Sequence, residues 1–241
     1  MSEITCKKCG CKEGVKNGFV RGKQRYKCSH CGHNYTLSDG RTKGKLPPQV
    51  KALMVLLYGS GKASYGIIAK LLNVSRTTVQ YWIKKTAESL PEPEIDAQVT
   101  EVQIDEMWHF LVKKKRKIWI WRVLDCTTKR TIAWVIGSRS AKTFRKLYDK
   151  LKGTVTMSYT DDWEVYKKVI PAKKLTQGKK YTTAIEQNNS NVRHYLARMT
   201  RRTKVVSKTG EMLNHSLRIC CMLNEYGWYQ HFQQIFLSIF H

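Results

Sequence analysis

Acidic side chains are scarce in this 241-residue chain: 18 Asp and Glu stand against 44 Lys and Arg, a net charge of +26. The basic residues run through the whole length. A membrane-surface role would gather them on one amphipathic helix, so the spread argues against it and marks the electrostatic footprint of a nucleic-acid binder. Long apolar runs are also missing. No stretch reaches the roughly 18 apolar residues that span a bilayer, and the C-terminal Ile235-Phe-Leu-Ser-Ile-Phe240 is too short. The N-terminus, Met1-Ser-Glu-Ile-Thr-Cys6, lacks the charged-then-apolar order of a secretory signal. These absences predict an intracellular protein with no membrane partner. There, eight cysteines point to metal or free thiols before disulfides. The length allows one large domain and one or two small ones.

Four of the cysteines form a pattern. Cys6-Lys-Lys-Cys9 and Cys28-Ser-His-Cys31 are two knuckles separated by eighteen residues. Each knuckle can offer two thiolates to one tetrahedral Zn²⁺, and Gly10 and Gly32 follow where tight turns are needed. Residues 18–22 and 24–27 read as a hairpin between the knuckles. Cys11, His30 and His33 are rival ligands. The predicted zinc ribbon, residues 1–37, carries Lys7, Lys8, Lys12, Lys16, Arg21, Lys23, Arg25 and Lys27, which favour DNA contact over simple bracing.

Residues 38–45 are polar and glycine-containing and read as a linker. Pro47-Pro48 opens a helix with Val50, Leu53, Met54 and Leu57 at helical spacing, stopped by Gly59-Ser-Gly61. Residues 64–72, a turn at Asn73-Val74 and residues 75–85 then resemble a helix-turn-helix within a domain over 45–90. Ser75 caps its second helix, and Ile68, Leu71, Val74, Val79 and Trp82 form the core side. Arg76, Thr77, Thr78, Gln80, Tyr81 and Lys84 are left for a DNA groove. Pro91-Glu-Pro-Glu-Ile-Asp96 is a stiff acidic break to the next domain, 97–215.

Beyond it the pattern is strand, hairpin, helix, strand, helix. A strand over 100–104 has Asp105 at or just inside its end. Residues 113–117 are a basic turn between strands, with Lys114 and Lys115 as two further DNA contacts, residues 118–124 alternate with high β propensity, and residues 131–136 pair with them. Residues 140–152 form an amphipathic helix facing inward with Phe144, Leu147, Tyr148 and Leu151. An apolar run from Val155 to Thr160 delivers Asp161 to a strand tip. Twenty-four residues further, Glu186 lies in a segment free of Pro and Gly that reads as a helix. Three carboxylates on separate elements make a hard-oxygen site for Mg²⁺. Each has an ordinary rival. Glu106 competes with Asp105, and period-2 geometry lets only one of them face the site. Asp162 competes with Asp161, and Glu186 could close a capping box with Thr183. A helical tail over 216–241, with Trp228, Phe232, Ile235, Phe236 and Ile239 at helical spacing, covers the core or forms a dimer contact.

Ile104-Asp105-Glu106-Met107-Trp108, Thr160-Asp161-Asp162-Trp163 and the stretch from Ile185-Glu186-Gln187-Asn188-Asn189 to Arg198 resemble the DDE transposases, and within them the IS1 family. The resemblance runs from Cys6 to about Leu223, and the spacing of Asp161 and Glu186 is specific to it. Asp162 is a departure, since the family usually has a small residue there. The resemblance implies an α+β multidomain chain whose catalytic core is RNase H-like, with a central five-stranded mixed sheet. It selects Asp105, Asp161 and Glu186 as catalytic ligands of two Mg²⁺ (or Mn²⁺) ions roughly 4 Å apart, beside one structural Zn²⁺. It implies a DNA transposase that binds terminal inverted repeats, cuts at the ends and joins a 3′-hydroxyl to target DNA, acting as a homodimer or larger assembly in a prokaryotic cytoplasm, at the nucleoid. Analogy puts Arg193 near the scissile phosphate. Asn189 shares its helix face, and Arg198, Arg201 and Arg202 extend the DNA surface. The competing readings are a transposase-derived DNA-binding regulator that does not use the acids, and a Mg²⁺-dependent nuclease without joining activity.

Overall fold

The computed structural model describes residues 4–6, 8–20, 22–37, 46–200 and 202–240. The expected linker over 38–45, and Lys7, Arg21 and Arg201, lie outside them. The chain forms two compact units, Met1–Leu46 and Pro47–His241.

In the first unit, β1 (Gly14–Val20), β2 (Lys23–Cys28) and β3 (Asn34–Thr36) make an antiparallel sheet in that order. Gly10 and Gly32 turn at φ of 76° and 68°, where a side chain would be strained. Among the described residues of this unit, Cys6, Tyr26, Cys28 and Tyr35 form the buried cluster, with Ile4, Cys11, Cys31 and Leu37 partly buried against it. So small a core does not hold three strands by apolar burial alone, which is where a structural metal contributes folding energy.

The second unit begins with α1 (Pro48–Gly59), α2 (Tyr65–Leu71) and α3 (Arg76–Ser89). Ser64 and Ser75 cap α2 and α3 by accepting from the N–H groups of Ile67 and Thr78. Between the helices Asn73 turns at φ 50°. Ile68 and Val79 are buried as expected, but Leu71 is 63% exposed. The inward stripe of α2 runs through Ile68, Ala69 and half-buried Leu72, one position on, while Ile83 continues it on α3.

β4 (Glu101–Phe110), β5 (Lys117–Asp125), β6 (Thr131–Gly137), β7 (Met157–Thr160) and β8 (Leu175–Gln177) form a mixed sheet in the order β6-β5-β4-β7-β8. The first three strands are antiparallel, and β4, β7 and β8 are parallel. This is the expected RNase H-like sheet. On one face α4 (Ala141–Leu151) and the short α5 (Glu164–Lys167) bury Phe144, Leu147, Leu151 and Tyr166 against Val102, Ile104, Trp121 and Val123. α6 (Thr183–Tyr195) packs along β4 and β5, followed by α7 (Gly210–Glu225) and α8 (Trp228–Leu237). β4 is longer than the sequence suggests. Its antiparallel pairing with β5 continues to Phe110, whereas its parallel pairing with β7 stops at Gln103. Asp105 therefore sits mid-strand, two residues beyond the last parallel pair and beside an open edge.

The helices are fastened to this core. α1 and α3 pack on α7, and α8 lies along α1. At Gly59 an added Cβ would come within 2.5 Å of Leu223 and 2.7 Å of Ile219, so the crossing with α7 requires glycine. Buried Arg198 donates to Tyr58 Oη on α1 (2.7 Å) and to Ser207 Oγ (3.2 Å), which also meets His109 Nε2 on β4 (3.2 Å). Residues 91–96 run inside this unit, and α7 passes through 215–216 without a break. Among the described residues, no helix is long and apolar enough to cross a membrane.

Candidate functional site

Cys6, Cys9, Cys28 and Cys31 bring their sulfurs within 4.8 Å of one another. The Cys6–Cys31 and Cys9–Cys28 separations are both 3.7 Å. Cys11 is outside this group. Its sulfur accepts from the Glu13 N–H at 3.4 Å. Four mutually facing thiols in a sheet with a minimal core fit tetrahedral Zn²⁺.

The carboxylates are assembled by α6 and β4. On the α6 face, Gln103 Oε1 accepts from the Ile185 N–H (2.9 Å), which caps the first turn of α6 with a strand side chain. One turn on, Asn189 Nδ2 donates to Asp105 Oδ2 at 2.8 Å. Two bonds, spaced two residues apart on β4 and four on α6, hold Glu186 alongside Asp105. Both acids line a cavity of about 740 Å³ together with Met107, Trp108, Asn189, Ser190 and Arg193. No capping box forms at Glu186. Instead Thr182 Oγ1 donates to its carboxylate at 3.0 Å.

Asp161 follows β7, where its Oδ1 accepts from the Trp163 N–H at 3.1 Å. Gln177 on β8 donates to its backbone carbonyl at 2.8 Å. Asp162 is exposed. Burial, then the charge of Glu106, push the Asp105 carboxyl up to about 6, with Asp161 adding to the rise and the Asn189 amide opposing it. Among the described residues the oxygens of Asp105, Asp161 and Glu186 do not all close to within 4.8 Å. A half-buried carboxyl raised by desolvation and like-charged neighbours is relieved by a cation, and the oxygen donor set suits Mg²⁺ or Mn²⁺.

Glu106 points to the other face, as strand alternation requires. Arg139 Nη2 and Nε donate to its Oε1 (2.7 and 2.9 Å) and Tyr166 Oη to its Oε2 (2.7 Å). Arg139 itself lies 4.6 and 4.1 Å from the ring centres of Trp119 and Trp163. Glu106 is thus committed to an ion pair in which its own carboxylate is buried and Arg139 stays exposed, although burial still raises its carboxyl.

Of the residues read as DNA contacts, Arg76, Thr77, Gln80, Tyr81, Lys114, Lys115 and Arg202 are exposed. Thr78 is half-buried, and its hydroxyl meets Ser75 Oγ at 2.8 Å. Lys84 is ion-paired with Glu211 at 2.8 Å. Arg193 donates to the carbonyls of Trp108 and Met199, both at 3.3 Å, and so closes the open edge of β4. Asn189 and Arg198 are buried. Arg198 is consumed by internal hydrogen bonds, which corrects its reading as a DNA contact, whereas Asn189, bonded to Asp105 and Arg122, still lines the cavity. Spacing along α6 placed Asn189 on the Glu186 side but not its depth.

Sequence reasoning passed over Gln103, Arg139, Tyr166 and Arg122. Arg122 carried a signal, as the one charge inside Ile118-Trp-Ile-Trp-Arg-Val-Leu124. It is buried directly across from Asp105 in the β4–β5 register.

A family model described as IS1 transposase matches residues 98–229, a span that holds Asp105, Asp161 and Glu186. The insertion element iso-IS1n protein InsB of Shigella dysenteriae is 32% identical over 111 residues, 46% of this chain and 85% of the relative. The insertion element IS1 protein InsB of Shigella sonnei is 32% identical over 122 residues, 48% of this chain and 93% of the relative. The IS1 9 protein InsB of Escherichia coli strain K12 shows the same identity over 122 residues and 73% of its length. On this match, over a sheet of the RNase H-like order with Asp105 on β4, Asp161 just past β7 and Glu186 on α6, the chain belongs to the IS1 transposase family.

Proposed function

We propose that the protein binds the terminal inverted repeats of an IS1-like insertion sequence, cuts at their ends and joins the freed 3′-hydroxyl to target DNA. The observation that carries this reading is the convergence of Asp105 and Glu186 on one cavity, where the half-buried Asp105 carboxyl is raised to about 6 by burial and by the charges of Glu106 and Asp161. Asp105, Asp161 and Glu186 would hold the divalent ions. Bound there, the ions supply Lewis acidity for charge on the attacking and leaving oxygens. In the first step a water oxygen bonds to phosphorus and the bond to the 3′-oxygen breaks. In the second, that 3′-hydroxyl attacks a target phosphodiester and the target 3′-oxygen leaves. The two displacements differ only in nucleophile, and neither needs a covalent protein intermediate.

The chain's own residues position the reactants. Gln103 pins the start of α6, and Arg193 seals the β4 edge that borders the cavity. The exposed Arg76, Gln80 and Tyr81 of α3 are suited to reading end sequence, and Lys114, Lys115 and Arg202 to holding phosphates. Pairing two ends calls for a dimer or larger assembly.

Glu186→Gln tests the assignment. It removes one negative charge facing the ions and leaves a side chain that still accepts from Thr182. Cleavage of the element's ends in Mg²⁺ should fall by at least about 100-fold while folding and end binding persist. A near-wild-type rate would remove Glu186 from the site, and the three-acid assignment with it.

A further inference from the structure

Arg122 is buried directly opposite Asp105 in the sheet, on the same face, yet it does not pair with it. Its Nη1 donates to Asn189 Oδ1 at 2.6 Å and its Nη2 to Thr131 Oγ1 at 2.5 Å. Its charge is answered by Glu225 at the end of α7, 3.7 Å away. Glu225 is held in turn by the Thr131 N–H (2.5 Å) and by Asn188 Nδ2 (3.2 Å). Asn189 stands between the guanidinium and Asp105. A guanidinium can only donate, so the Asn189 carbonyl must face Arg122 and its NH₂ must face Asp105. The amide cannot flip without setting donor against donor.

We propose that Asn189 is the positioning residue for Asp105: oriented by the buried Arg122, it fixes one carboxylate oxygen and leaves the acid its full charge for a divalent ion. The inference rests on the reading of Asp105 as a metal ligand. The chemistry explains the interposed amide. A direct Arg122–Asp105 pair would also fix the rotamer, but it would place a cation where the metal's charge has to act. A neutral amide donor supplies the orientation without the competing charge. Glu225 compensates Arg122 from behind, so the arginine can be buried without drawing on the site's own carboxylates. Hydrogen-bonded partners of metal ligands act in this way, and their loss typically costs 10–100-fold in metal affinity.

The experiment compares Asn189→Ala and Asn189→Asp with wild type and with Asp105→Asn, in the full-length protein. Mn²⁺ affinity is measured by calorimetry, end-DNA affinity by fluorescence anisotropy, and strand transfer from a pre-cut end by gel. Asn189→Ala should weaken Mn²⁺ binding by about 10–100-fold, leave the DNA dissociation constant within about twofold, and regain part of its strand transfer at high Mn²⁺. Asn189→Asp keeps an acceptor for Arg122, but it loses the donor and turns a carboxylate toward Asp105, and its folding is checked by circular dichroism. Its strand transfer at saturating DNA should fall at least about 100-fold. Unchanged Mn²⁺ affinity in Asn189→Ala, or a wild-type rate in Asn189→Asp, overturns the proposal. If Asn189→Ala does not fold, the Asn189→Asp rate decides. Asp105→Asn separates the two levels. If it binds Mn²⁺ and joins DNA as wild type does, the metal-ligand reading itself has failed. If it is dead while both Asn189 variants are normal, only the positioning role has.

Discussion

His109 sits on β4 four residues past Asp105, buried, with Nε2 3.2 Å from Ser207 Oγ. Arg198 donates to that same oxygen, which leaves the Ser207 O–H free to donate to a neutral imidazole. Burial, then the charges of Arg198 and Arg193, hold the His109 pKa down at about 4 against an ordinary 6.5. The sign follows from proton counts. Between about 6.5 and 4 the unfolded chain is protonated at this residue and the folded chain is not, so stability is complete above 6.5 and is lost as pH falls through that window. The loss should reach about 3 kcal/mol. Urea denaturation at pH 7 and pH 4.5 should show His109→Gln losing less stability than wild type over that interval. Equal losses in the two proteins would mean that His109 is protonated in the fold.

The elements were the most legible part of the chain. Alternation in 118–124 and 131–136, the amphipathic run over 140–152 and the paired knuckles each carry a local period or spacing, and the corresponding strands, helix and thiol cluster formed. Asp161 just past a strand and Glu186 on a helix lie where the sequence put them, whereas Asp105, read at a strand end, sits mid-strand. What escaped is what depends on depth and on partners remote in sequence. Gln103 capping α6, Arg122 across from Asp105, and the burial of Asn189 and Arg198 arise from pairing between segments, and no window of neighbouring residues encodes them. The end of β4 was misjudged for the same reason, since β5 sets it. α3 offers a test at this scale. Arg76 is exposed at its first turn, and Ser75 caps it independently of that side chain. Arg76→Ala should weaken binding to the terminal repeat by about 1–3 kcal/mol and relax its sequence preference. Equal loss on random DNA would reduce Arg76 to a phosphate contact.

At the scale of the whole molecule, the two units rest on different forces. Among its described residues the first has four buried in one small cluster and four facing thiols, so its order should depend on metal. Elemental analysis should find one Zn²⁺ per chain in wild type and none in Cys28→Ser. Near-UV circular dichroism of Tyr26 and Tyr35 should weaken as the metal leaves. Retained zinc would bring Cys11, His30 or His33 in as ligands. The second unit is held by apolar packing and by a polar thread, Tyr58 to Arg198 to Ser207 to His109, that stitches α1 to β4. This seam limits modularity. The helices over residues 48–89 cannot be exchanged like a cassette between related elements, because a donor without a hydroxyl at position 58 would strand the Arg198 guanidinium in a foreign interior. Chimeras joined at residues 91–96 should be insoluble unless the incoming helices carry a hydroxyl at position 58 for Arg198. Shuffling of such genes would then preserve whole second units and leave hybrids within them rare.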